Sequence, residues 1–219
     1  MMETVSALLS RHARALRIVR SLVGDTRAAA LVEMALLLPV MLLVLALVIY
    51  GAEGFAIDRK VTLTARTVTD LITQATPTSV SNRSSVMSAG PASTAGTIDY
   101  YLQAASAVLA PYAAANMSMV VSQVLVQSNG TTAKVTWSEP YNGGTARPAN
   151  QVLTLPGTIG TGQAGNYFVF GEVYYKYTPL GFYMSLSPIT LYGSIYLTPR
   201  QETSIICSSC ATPWSGPSS

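Results

Sequence analysis

The chain has 219 residues, of which 49% are apolar and only 11% charged, and its mean hydropathy is positive. That is low in charge for a water-soluble domain, and a membrane-crossing segment accounts for part of it. The net charge of +3 sits mostly in the first 27 residues. No basic stripe with interleaved aromatics follows, so no nucleic-acid partner is implied.

Residues 1–28 read as a basic leader. Arg11, Arg14, Arg17, Arg20 and Arg27 outweigh Glu3 and Asp25, whereas the segment after the apolar run carries a smaller excess from Asp58, Arg59, Lys60 and Arg66. The positive-inside rule then puts this end in the cytoplasm and the rest outside. Leu8, Leu9, Leu16 and Ile18 interleave with the arginines. Either a surface-lying amphipathic helix or a basic tail fits them.

Residues 29–52 read as a transmembrane helix. From Met34 to Ala52 there are 19 residues without a charge. As a helix that run is roughly 30 Å long, the thickness of a bilayer's hydrocarbon core. Two residues do not fit a plain anchor. Glu33 puts a carboxylate at the mouth of the apolar run, either hydrated at headgroup level or matched to a partner. Pro39 removes a backbone donor inside the helix.

The run AALVEMALLLPVMLLVLALVIYGAE resembles the N-terminal signature of TadE-like proteins, minor pseudopilins of tight-adherence (Flp, type IVc) pilus machines. The stretches EVYYKYTPL and YLTPRQ are similar to the family's C-terminal half. The resemblance implies cleavage by a prepilin peptidase just before the apolar segment, with a Glu fifth in the mature chain. On this sequence Glu33 as the fifth residue makes Ala29 the first and Ala28 the last of the leader. The family's usual residue before the cut is Gly, and Ala28 is a small substitute. Glu33 would then pair with the N-terminal ammonium of a neighbouring subunit. The implied partners are the inner membrane, other pilins or pseudopilins and pilus assembly platform proteins.

Residues 53–76 continue the helix outward, with Ile57, Val61, Leu63, Ala65, Val68, Leu71, Ile72 and Ala75 as an apolar stripe and Pro77 as its end. Residues 77–97 are rich in Ser, Gly and Pro and read as a linker. Residues 98–204 read as a periplasmic α+β domain. In it Thr97 caps a short second helix, Asp99 favours its first turn and Pro111 closes it. Asn129-Gly130 between two strand-like runs marks a hairpin, both residues accepting positive φ. Residues 139–165 form a Gly/Pro-rich insertion with one apolar piece, Val152 to Leu155. Two further strands follow, at residues 166–177 and 189–197, and Val169, Val173, Tyr175 and Tyr177 share a face of the first. The expected fold is pilin-like: a membrane-spanning helix continuing into an antiparallel sheet of about four strands.

Residues 205–219 read as a Cys/Ser/Pro tail in which Cys207 and Cys210 form a disulfide. A thioredoxin-type redox site needs C-x-x-C to open a helix, and none is expected there. The one histidine, His12, lies in the leader. The outer part therefore lacks Ser–His and Cys–His nucleophile schemes and a four-ligand metal set. Its acids are scattered; a pair such as Glu139 with Glu172, brought together by the fold, could act on glycosides, but nothing in the spacing demands it and surface carboxylates are the ordinary case. No cofactor is implied and no enzyme is expected. Tyr167, Tyr174, Tyr175, Tyr177, Tyr183, Tyr192 and Tyr196 crowd the last third, to cover the sheet or to form a contact face. A membrane-anchored periplasmic binding or scaffold domain is the rival reading. A secreted glycoprotein, from sequons at Asn82, Asn116 and Asn129, is a third.

Overall fold

The computed structural model describes residues 26–74, 84–87, 97–157, 159–179, 187–207 and 209–214. The basic leader up to Asp25, Ala75, Pro77, Asn82 and Tyr183 lie outside the described residues. The chain divides into two units, Met1–Ala52 and Glu53–Ser219. One helix, α1 (Thr26–Thr73), contributes to both.

In the first unit α1 is unbroken through Pro39, and every side chain from Ala29 to Leu45 is exposed. The helix is long and apolar enough to cross a membrane. Exposure of so continuous an apolar surface suits hydrocarbon rather than water, because a soluble helix hides one stripe and wets the other.

In the second unit the same helix does show a stripe. Ile57, Val61, Ala65, Val68 and Ile72 are buried, at the 3.6-residue period that the sequence carries. Leu63, expected on that stripe, is 49% exposed, and Thr64 and Thr69 take buried places instead. Both threonines return their hydroxyls to the helix's own carbonyls, Thr64 to Lys60 O at 2.9 Å and Thr69 to Ala65 O at 2.7 Å. Their polarity is satisfied locally, so burial costs little. The short helix α2 (Ile98–Ser106) starts where the sequence puts it. Thr97 Oγ1 accepts from Tyr100 N at 3.3 Å. A 3₁₀ turn at Ala107–Leu109 extends it, and Lys60 Nζ donates to Val108 O at 3.2 Å.

The strands are β1 (Ser84–Met87), β2 (Met117–Val126), β3 (Thr132–Tyr141), β4 (Val152–Thr154), β5 (Tyr167–Tyr177), β6 (Ile189–Leu197) and β7 (Ser204–Cys207). Five of them, not four, make an antiparallel sheet in the order β4-β3-β2-β5-β6. The extra strand, β4, is the apolar piece of the insertion, too short to stand out by alternation. The other two, β1 and β7, pair in parallel, Ser84 beside Ser204 through Met87 beside Cys207. The supposed linker and tail thus each supply a strand, because each completes the other's ladder.

The β2–β3 hairpin forms as expected, but by a different turn. Only Gly130 has positive φ, at 66°. Asn129 acts through its side chain, Oδ1 accepting from Thr131 N and Thr132 N, both at 3.1 Å.

Both sheet faces are covered. On the helix side, Met117, Met119, Val121, Trp137, Val169, Val173, Tyr175 and Tyr177 pack with α1 and α2. On the other side, Val124, Val126, Ala133, Val135, Phe168 and Phe170 pack with Leu155 from the insertion. Two glycines set how near α1 lies. A Cβ on Gly171 would fall 2.0 Å from Thr69 Oγ1, and one on Gly193 would fall 3.1 Å from Thr62 Cα. Any larger residue there pushes helix and sheet apart.

Candidate functional site

Three places carry chemistry. The first is the start of α1. Ala28, Ala29, Glu33 and Pro39 all lie on the one helix. Glu33 is exposed, with no hydrogen bond or ion pair among the described residues.

The second is the segment after β6, which is docked on the sheet. Cys207 and Cys210 are joined by a disulfide with Cα atoms 5.6 Å apart, and both are buried. Trp137 Nε1 donates to Ile205 O at 2.6 Å, and Ile205 N donates to Gln123 Oε1 at 2.7 Å. Ser138 and Thr212 exchange backbone bonds of 3.0 and 2.9 Å. Ala211 N donates to Glu139 Oε2 at 2.6 Å. The disulfide folds the chain back, so that residues on both sides of it meet β3.

Burial raises the pKa of Glu139. The bond from Ala211 N opposes the shift, and the negative charge of Asp99 adds to it. A carboxyl with a raised folded-state pKa stabilises the fold most at low pH, and loses that contribution as pH climbs from 4.5 through the raised value. Glu139→Gln keeps an oxygen for Ala211 N and removes the titration. Thermal melts from pH 4 to 8 should therefore show the wild type falling relative to this variant as pH rises. Parallel curves would refute the assignment.

The third place is a cleft of about 480 Å³ on the sheet face opposite α1, lined among others by Ser118, Gly144, Arg147, Glu172, Tyr174 and Lys176. Glu172 stands mid-strand on β5, 1% exposed. Arg147, from the insertion, grips it with Nε to Oε2 at 2.6 Å and Nη2 to Oε1 at 2.7 Å. The hydroxyls of Tyr174 and Tyr192 donate to Oε1 at 2.9 and 3.0 Å. Burial and the nearby carboxylate push both phenols up, so they remain protonated donors. Tyr196 is raised to about 12, first by burial. Its ring stacks on Phe170 with centroids 4.1 Å apart, and the Arg147 guanidinium lies 5.3 Å from the Phe170 centroid.

Four donors converge on the Glu172 carboxylate, three at Oε1 and one at Oε2, and through Arg147 it holds the insertion down. Thr212 Oγ1 donates to Arg147 O at 2.7 Å, and Arg147 N donates to Ser138 Oγ at 3.0 Å. The docked tail and the cleft are therefore one network.

The fold does not bring Glu139 and Glu172 together. Glu139 lies opposite Val121 on β2 and Glu172 opposite the adjacent Val120, so the two carboxyls leave the sheet on opposite faces. Arg147 was not foreseen. Its signal was the lone charge inside FVFGEVYY, since a carboxylate amid apolar strand residues requires a cation or several donors. No protein-family model, no curated protein and no solved structure matches this chain.

Proposed function

We propose that this chain is a minor pseudopilin of a tight-adherence, type IVc pilus system, acting by helix packing and subunit contacts rather than by catalysis. The observation that carries the proposal is Glu33 four residues beyond Ala29, in a stretch of helix whose side chains from Ala29 to Leu45 are all exposed. In hydrocarbon an acid at that position is costly alone. It becomes favourable once a prepilin peptidase cuts between Ala28 and Ala29, freeing an ammonium that a neighbouring copy or another pilin presents to it. On this reading the leader is cytoplasmic, the helix is held in the inner membrane, and the pilin-like domain from Glu53 onward is periplasmic, beside the assembly platform. The buried disulfide suits such an oxidising compartment.

Mass spectrometry of the protein purified from its native membrane should give a mature chain beginning at Ala29. Glu33→Ala should leave that cut in place and reduce pilus-dependent attachment at least tenfold. An intact leader, or unchanged attachment, rejects the proposal. The 480 Å³ cleft favours the rival, a membrane-anchored periplasmic binding domain, which an intact leader would support.

A further inference from the structure

The two edges of the five-stranded sheet are unlike. The β4 edge is blunted: the strand is only three residues long. Beyond β4, the edge of β3 is occupied by the insertion, Val135 N donating to Gln151 O at 2.9 Å and Asn150 N to Val135 O at 3.0 Å. Short edges and covered edges are the usual protection against stray pairing.

At the opposite edge, β6 has none of these devices. It runs nine residues as ITLYGSIYL, without a charge or a proline, in unbroken register with β5. Among the described residues no strand pairs with its outer side. Alternate N–H and C=O groups therefore face outward along its length, and Ile189 and Tyr192 are 52% and 47% exposed.

Alongside β6, α1 carries two grooves that share Arg66. One, of about 320 Å³, is lined by Arg66, Thr67, Asp70, Ile195 and Leu197. The other, of about 510 Å³, adds Arg59, Thr62 and Leu63 together with Asp58. Asp70 is paired with Arg200 at 2.5 Å. Arg59 and Arg66 are exposed and make no ion pair among the described residues, so the grooves hold a positive excess.

We propose that β6 is a docking edge that accepts an extended segment of another polypeptide as a sixth strand, with acidic side chains at the positions facing Arg59 and Arg66. A row of outward backbone groups selects a strand over a helix, and the alternate side chains of that strand read the grooves. Two guanidiniums against one free carboxylate select acids over bases. A second copy offering its own β6 brings no charge and leaves both arginines unmatched, which is why the occupant is a different segment.

The test uses the full chain in detergent micelles and a fluorescein-labelled peptide, TVEVTVEVT, read by anisotropy. Saturable binding is expected. N-methylation of one alternate set of peptide amides should abolish it, while methylation of the other set leaves it intact, as only one edge of an added strand is used. The peptide with Lys in place of Glu should bind wild type at least tenfold more weakly. Arg66→Glu should reverse that ranking, which also shows that the variant is folded. Absence of saturable binding, equal loss with both methylated peptides, or equal binding of the Glu and Lys peptides by wild type overturns the proposal. So does a stable dimer of the chain alone that blocks the peptide.

Discussion

Arg147→Met is expected to destabilise the domain by about 3–5 kcal/mol, the cost of leaving a buried charge without its ionic partner. Met fills much of the stem's volume, so the loss reports the guanidinium rather than a cavity. The Arg147 side chain is 22% exposed and that of Glu172 2%, so solvent screens the pair weakly. Tyr174 and Tyr192 still donate to the carboxylate, but neither neutralises it. The double variant Arg147→Met, Glu172→Leu should regain most of the loss, because an apolar replacement of a buried pair is often neutral. Urea unfolding followed by tryptophan fluorescence measures all three chains. If Arg147→Met costs under about 1 kcal/mol, the pair behaves as a surface contact, and its role in pinning the insertion is wrong.

Trp137→Ala is expected to cost a similar amount, about 3–5 kcal/mol, through a different cause. Trp137 is fully buried and is the largest of the fully buried side chains. Its removal leaves a hole under β3 and an orphaned Ile205 carbonyl. Trp137→Phe keeps most of the packing and loses only the hydrogen bond, so about 1–2 kcal/mol is expected. The two variants also differ in how firmly residues 204–214 stay docked. Limited proteolysis should cut that segment readily in Trp137→Ala and slowly in Trp137→Phe. Cutting of Trp137→Ala at the wild-type rate would mean that β1 and Glu139 suffice to hold it.

What the sequence made legible were the features whose signal is local. The apolar stripe of α1, the Thr97 cap, the β2–β3 hairpin and the β5 and β6 strands each depend on residues within one turn or one pleat. What escaped depends on partners far along the chain. Ser84–Met87 has too little alternation to be read as a strand, and its ladder comes from residues 204–207. That the insertion covers the sheet was not legible, because Leu155 alone does not reveal the Phe168 and Phe170 it packs on. A clue was present nonetheless: Phe168, Val169 and Phe170 in succession put apolar groups on both faces of β5, which demands cover on both sides. Tyr175 and Tyr177 fill the core, whereas Tyr192 stands at the open edge with its hydroxyl on Glu172.

The docking of residues 204–214 has a consequence for the order of events in biosynthesis. Trp137 waits 68 residues for the carbonyl it donates to, Glu139 waits 72 for Ala211, and Gln123 waits 82 for Ile205. Until those positions are available, Trp137 Nε1, Glu139 Oε2 and Gln123 Oε1 lack these mates, and β1 lacks the strand it pairs with. Closure is therefore a late step of high sequence separation, slow by nature.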